Sequence, residues 1–412
     1  MLNQFIKIVK SASILSIGRV FQGTLQFLLL PVYTRLLSPE DFGIIDMITI
    51  FHSILTLFIL IGIRQGFTRS YLLKNKEISI ESYKRDKLEI LSTAIFFVLI
   101  WGFFILLFLI PQSKEISLLL FKTSDFSNFI ILSIFTSYGS ALSQIYEAYF
   151  LNNNKIKTYV IITSFQVLIN LLFIIFMIFN LKKGVEGVII ANAVTNISFG
   201  LILCLWMLFQ TNYSFKFNWL KYMLRFGAPA MLGILILFLF DIIDRLFIQY
   251  YFDMASLGKY SIARKIGKIQ TMAFVAPFLG LWSPLLFKIA NEKNHKEIFG
   301  NILPFIVAFF SFITLGLSLF SEEFLWLFAT KEYYDVHKLV IWICMGQTVF
   351  IGSSILTAGM SISGKSEVGT LANFLVVIFG LILNLLLVPK YGMIGAPIAT
   401  FFTFLIQFGL FY

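Results

Sequence analysis

Of 412 residues, 58% are apolar and only 13% charged, whereas soluble domains run near 45–50% and about 25%. That balance excludes a soluble enzyme, and it equally excludes disordered, coiled-coil, collagen-like and disulfide-scaffold chains. With 49 Phe and a mean hydropathy of +0.89, the chain reads as an all-α integral membrane protein, so the net charge of +11 calls for a topological explanation.

A helix needs about 20 mostly apolar residues to cross the hydrocarbon core. Twelve such runs follow in chain order, at 11–34, 42–63, 89–110, 127–151, 158–180, 187–210, 224–250, 257–287, 299–320, 338–359, 367–388 and 394–412. The first carries Arg19, Gln22 and Gln26; it is too long for a signal-peptide core and is expected to stay in the mature protein. The loop from Arg64 to Glu89 mixes both signs of charge and reads as a solvated connector at the headgroups. Pro229 follows Gly227 at the start of span seven, and Pro277 and Pro284 lie two turns apart in span eight. These are places where a membrane helix bends, by packing irregularity or as hinges.

With the N-terminus inside, the inner segments hold 18 Lys and Arg and the outer segments 9. The positive-inside bias places both termini in the cytoplasm of a multi-pass protein and absorbs most of the net charge. Nucleic acid is therefore not an expected partner.

The stretch Lys182-Lys183-Gly184-Val185-Glu186-Gly187 aligns with Lys390-Tyr391-Gly392-Met393-Ile394-Gly395, 208 residues on, and Phe42-Gly43 aligns with Leu257-Gly258, 215 residues on. Both offsets are close to half the chain, which predicts two six-helix lobes, 1–215 and 216–412. Six helices is an even number, so both halves start on the same side of the membrane, as parallel repeats around a central cavity do in transporters.

Five bases (Arg19, Arg245, Arg264, Lys265, Lys268) and four acids (Asp46, Glu147, Asp241, Asp244) remain inside the spans. Each costs a few kcal/mol or more at membrane depth unless it is paired or faces water. Asp241, Asp244 and Arg245 stand at i, i+3 and i+4 on one face of span seven, and Arg264 and Lys268 share a face of span eight. A short turn joins the two helices, so acid and base can meet. Asp241 with Arg245 and Asp244 with Arg264 are the pairs that would neutralise one another. Four bases against two acids still leaves a surplus for an anion, and Arg19 adds to it, with Asp46 or a ligand as its counterpart. Asp46, Glu147, Asp241 and Asp244 are candidates for ion coupling or for plain pairing.

Gly359-Met360-Ser361-Ile362-Ser363-Gly364-Lys365-Ser366 matches the P-loop pattern letter for letter. It joins two apolar spans rather than a strand and a helix, so nucleotide binding is not expected. His52, His295 and His337 lack ligand spacing, and Cys204 and Cys344 read as small core residues. No nucleophile–base pattern stands out, so the reading is a carrier, not an enzyme, without a metal or cofactor.

Leu30-Pro31-Val32-Tyr33-Thr34-Arg35-Leu36-Leu37-Ser38-Pro39-Glu40-Asp41-Phe42-Gly43 resembles the signature between the first two spans of Wzx-type polysaccharide flippases, of the multidrug/oligosaccharidyl-lipid/polysaccharide superfamily. Arg69-Ser70-Tyr71, Lys183 to Gly187, Asp244-Arg245 and Leu257 to Ser261 resemble later family features, in order along the whole chain. The resemblance implies two six-helix lobes and flipping of undecaprenyl-diphosphate-linked oligosaccharide (O-antigen, capsule or exopolysaccharide units) to the outer leaflet of the bacterial inner membrane. It further implies diphosphate contacts from Arg19, Arg264 or Lys265, H⁺ or Na⁺ coupling, and cooperation with a polymerase and glycosyltransferases. One departure is that the twelfth span barely ends before Tyr412. The alternatives are a multidrug exporter of the same superfamily, which would want a net acidic cavity, and a membrane polymerase, which would want longer outer loops.

Overall fold

The computed structural model describes residues 2–72, 80–211, 213–275, 278, 279, 282, 289, 295–357 and 366–411. Among the described residues the chain is helical and contains no strand. The helices are α1 (Leu2–Phe27), α2 (Leu30–Leu36), α3 (Pro39–Leu60), α4 (Ile63–Leu72), α5 (Ile80–Leu109), α6 (Ser113–Phe121), α7 (Ser127–Asn152), α8 (Ile156–Phe179), α9 (Gly184–Phe209), α10 (Phe217–Tyr251), α11 (Met254–Gln270), α12 (His295–Leu319), α13 (Ser321–Phe328), α14 (His337–Leu356), α15 (Ser366–Tyr391) and α16 (Gly395–Phe411).

Ten helical stretches among the described residues are long and apolar enough to cross a membrane, against twelve runs read from the sequence. The last, Leu371–Phe411, spans 41 residues and takes in both α15 and α16, which the sequence reading counts separately; a 3-10 turn at Gly392–Ile394 divides them. The run at 257–287 begins with α11, only 17 residues long and carrying Lys259, Arg264, Lys265 and Lys268. A π-helical turn, Thr271–Val275, follows it. Pro277, Pro284 and the P-loop-like stretch up to Lys365 lie outside the described residues.

The matched hairpins share a backbone feature. Gly184 and Gly392 have φ of +49° and +70°, a left-handed conformation that only glycine adopts without steric cost. The Ser38-Pro39-Glu40-Asp41 signature is a helix start. Ser38 N–H donates to Asp41 Oδ2 at 2.9 Å and Asp41 N–H to Ser38 Oγ at 3.1 Å, a reciprocal cap with proline in the first turn, where its missing N–H is harmless.

The chain divides into two compact units, one of residues 1–44 with 236–412 and one of residues 45–235. In the second unit α7 and α9 approach backbone to backbone. A Cβ on Gly139 would lie 2.4 Å from the Asn196 carbonyl carbon, the kind of contact that small residues permit between membrane helices. Polar side chains link the same bundle: Ser140 to Asn196 at 3.0 Å, Tyr146 to Gln166 at 2.8 Å and Asn170 to Asn192 at 3.0 Å. His52 Nδ1 is 3.3 Å from Ser137 Oγ, and the buried Cys204 thiol donates to the Leu142 carbonyl. These groups are satisfied by their neighbours, as the interior of a bilayer demands.

In the first unit, the start of α3 crosses the start of α11 at Gly43 and Gly258, the glycines that the internal repeat aligns. A Cβ on Gly43 would lie 1.9 Å from the Met254 carbonyl oxygen, and one on Gly258 1.9 Å from that of Pro39. Backbone cannot move aside as a side chain can. Gly43→Ala is therefore expected to lower stability by about 1–3 kcal/mol. At Gly233, where an added Cβ meets nothing, alanine should be neutral or stabilising by up to about 1 kcal/mol. Thermal unfolding of the two variants side by side in detergent checks this.

Candidate functional site

Five charged residues of α10 and α11, Asp241, Asp244, Arg245, Arg264 and Lys268, form one network within the first unit. Asp253, in the turn between the helices, fixes the start of α11: its Oδ1 accepts from the Ser256 N–H at 2.7 Å. That hydrogen bond holds the Asp253 carboxyl below the ordinary carboxylate range. A depressed carboxylate stabilises fully above its ordinary pKa, and the contribution is lost as pH falls through the lowered value. Asp253→Ala should cost about 0.5–2 kcal/mol at neutral pH, and the difference from the parent should shrink in acid; unfolding measured at pH 7 and below pH 4 tests both.

Three turns into α11, Arg264 reaches both acids of α10. Its Nη2 donates to Asp241 Oδ1 at 2.6 Å and its Nη1 to Asp244 Oδ2. Tyr260, one turn earlier on the same face, donates its hydroxyl to Asp244 Oδ2. Arg245 Nη2 donates to Asp241 Oδ2 at 3.0 Å and to the Asp241 carbonyl at 2.9 Å. Lys268 Nζ stands 3.8 Å from Asp241 Oδ2.

Exposure is graded along this network. The Asp244 side chain is 2% exposed and that of Arg264 13%, but Asp241 is 44% and Lys268 46% exposed. The buried end is a closed arrangement in which a carboxylate accepts from a guanidinium, a phenol and the Arg245 backbone N–H. Such pairing offsets the desolvation of a buried charge. At the other end Asp241 and Lys268 are each close to half exposed.

The network brings together Asp241, Asp244, Arg245, Arg264 and Lys268. The neutralising pairs read from the sequence are present, with Arg264 joining both acids. Lys265 is not in it: about 100° further round the helix than Arg264, its Nζ sits over the rings of Phe42 at 4.6 Å and Tyr33 at 5.2 Å, where the ring quadrupoles attract a cation. The network thus holds three bases, Arg245, Arg264 and Lys268, with two acids, Asp241 and Asp244, where the helix sequences suggest four with two. Arg19 is exposed on α1, and among the described residues no ion pair engages it. Asp46 on α3 and Glu147 on α7 are part-buried in the second unit. Sequence reasoning overlooked the role of Tyr260, although its i, i+4 spacing to Arg264 placed both on one face. Among the described residues, no group of three His, Cys, Asp or Glu is arranged to hold a metal ion.

A family described as "Polysaccharide biosynthesis protein" matches residues 32–338, most of the chain. The chain belongs to that family. Its relatives include the capsular polysaccharide biosynthesis protein CapF of Staphylococcus aureus, 22% identical over 407 residues that cover 95% of this chain and 94% of CapF. Among solved structures, this member of the polysaccharide biosynthesis family resembles the lipid II flippase MurJ in an inward closed conformation, with a TM-score of 0.75 at 18% identity over 96% of this chain and 86% of MurJ. It also resembles an inward-facing multidrug resistance MATE transporter of the MOP superfamily, with a TM-score of 0.73 at 15% identity over 95% and 96% of the two chains. The family member thus has a transporter fold of the MurJ and MATE kind, as the signature around Pro39 to Gly43 implies.

Proposed function

We propose that this protein flips a lipid-diphosphate-linked oligosaccharide from the cytoplasmic to the outer leaflet of a bacterial inner membrane by alternating access, with both termini in the cytoplasm. The observation that carries the reading is the half-exposed Lys268–Asp241 end of a network with one positive charge in excess, in a member of a polysaccharide biosynthesis family with a flippase-like fold. A diphosphate in hydrocarbon faces a Born cost of tens of kcal/mol. A cationic, hydrated path removes most of that cost, and Arg264 and Lys268 offer the phosphate forked and point-like donors respectively.

In this proposal the diphosphate competes with the Asp241 carboxylate for Arg264 and Lys268. Asp244, itself oriented by the Tyr260 hydroxyl and the Arg245 backbone N–H, keeps Arg264 in place while the exchange happens. A proton or Na⁺ on Asp241 would weaken its hold on the two bases and favour the loaded state, which is a means of coupling transport to an ion gradient. Arg19 is a further phosphate contact. A polymerase and the glycosyltransferases that build the unit are the expected functional partners. A MATE-like exporter of organic cations is disfavoured by the sign of the network's charge.

The test is export of a labelled undecaprenyl-diphosphate glycan in cells stripped of their own flippase. Export that requires this protein, and that falls at least tenfold in Arg19→Ala, is the expected result. Good membrane expression without export of any glycan, together with efflux of organic cations, would overturn it in favour of a drug exporter.

A further inference from the structure

A second cationic site lies in the other unit, where α4 crosses the first half of α10. Arg69, Tyr222, Arg225 and Phe226 line one cavity of about 320 Å³. Both arginines are exposed, and among the described residues no ion pair engages either. The Arg69 guanidinium carbon sits 4.2 Å above the centre of the Phe226 ring. That cation–π contact anchors the Arg69 guanidinium to another residue of the cavity lining.

The segments that carry this cavity pack closely for a reason written in the sequence. Gly62 and Gly66 are four residues apart on the α4 side, and each meets backbone of α10. A Cβ on Gly62 would lie 1.8 Å from the Gly227 carbonyl oxygen and one on Gly66 2.1 Å from that of Met223. Helices in backbone contact through small residues are held in register. Arg69 follows Gly66 by one turn, while Tyr222, Arg225 and Phe226 flank Met223 and Gly227, so the crossing itself brings the four side chains together.

We infer that this cavity binds a lipid phosphate at the end of the unit that the charge bias places in the cytoplasm. Two arginines that line one cavity with no acid among its lining residues favour an anion there, and guanidinium forks suit phosphate oxygens, with the Tyr222 hydroxyl as a further donor. The volume is at the small end of ligand sites, the size of a headgroup and not of an oligosaccharide. The bland alternative is that arginines and aromatic rings simply mark the membrane interface. It does not account for four such groups converging on one cavity over a backbone-to-backbone crossing. The phosphate can come from a bulk anionic lipid or from the diphosphate of a glycolipid waiting to be transported; the assignment stands for either source and does not depend on the protein being a flippase.

The experiment is native mass spectrometry of the purified full-length protein titrated separately with phosphatidylglycerol, undecaprenyl diphosphate and uncharged undecaprenol. The parent is compared with Arg69→Gln/Arg225→Gln, with Arg69→Lys/Arg225→Lys, and with Lys221→Gln, a nearby exposed residue outside the cavity lining. The expected result is a loss of affinity of at least tenfold in the Gln pair for one or both phosphate lipids, a smaller loss in the Lys pair, and no change for undecaprenol or for Lys221→Gln. Loss confined to phosphatidylglycerol identifies a bulk-lipid site, and loss confined to undecaprenyl diphosphate identifies a cargo-docking site. Equal affinity of parent and Lys pair would overturn the forked-phosphate geometry. Equal affinity of parent and Gln pair for both lipids, with unchanged melting temperatures, would overturn the site altogether.

Discussion

Lys268→Gln is expected to leave the protein folded and to reduce glycolipid export at least tenfold, while Arg264→Ala is expected to remove the folded protein itself. Both cations touch the same carboxylate, Asp241, so their charge relation to a diphosphate is similar. Their structural positions differ. Arg264 is 13% exposed and also holds Asp244, 2% exposed; deleting it strands a buried carboxylate, a change that costs about 3–5 kcal/mol. Against a total stability of about 5–15 kcal/mol, that is enough to deplete the membrane of folded protein. Lys268 is half exposed at the open end, and its loss leaves Asp241 paired to two arginines. Size-exclusion profiles and melting temperatures of the two variants, beside their export rates, separate a folding defect from a transport defect. Adding Asp244→Asn to Arg264→Gln should restore the fold by removing the stranded charge, without restoring export. An Arg264→Ala protein that melts with the parent would show that Asp244 finds other partners and that the buried end is not a lock.

The helical membrane architecture was legible because burial in lipid forces a run of about 20 apolar residues per crossing, and such runs need no knowledge of neighbours. Span counting was less secure where charge or a short turn interrupts the run: α11 carries its cations within 17 residues, and α15 and α16 follow each other through three residues of 3-10 turn. The acid–base meeting of α10 and α11 was also legible, since i, i+3, i+4 spacing and a two-residue turn leave antiparallel helices little choice. That Lys265 stands off the face shared by Arg264 and Lys268 follows from helical spacing, but what it meets there does not: the rings of Tyr33 and Phe42 come from more than 200 residues away in the chain. The α4–α10 cavity stayed hidden for the same reason. Arg69 and Arg225 count as ordinary inner-loop charges until the contacts of Gly62 and Gly66 with α10 bring them to one place.

Asp241→Asn is expected to tighten binding of the diphosphate and yet to slow transport. The substitution removes one negative charge from a network that already has one positive charge in excess, so Arg264 and Lys268 meet an incoming anion with less competition. A carrier, however, needs to let go. If the carboxylate returns to the two bases as the cargo leaves, it supplies the difference in affinity between loaded and empty states, and a ligand shifts a conformational equilibrium only by such a difference. Couplings of this kind are worth about 1–3 kcal/mol, or about 5- to 150-fold in affinity, and this range is the expected gain in undecaprenyl diphosphate affinity, with a comparable fall in export rate. The proposed dependence of export on a proton or Na⁺ gradient should vanish in the same variant, because an amide neither titrates nor attracts a cation as a carboxylate does. Fold should survive, since Asp244 still holds Arg264 from the buried side. Unchanged affinity, rate and gradient dependence in Asp241→Asn would mean that Asp241 only neutralises its neighbours, and the search for the coupling group would pass to Asp46 and Glu147.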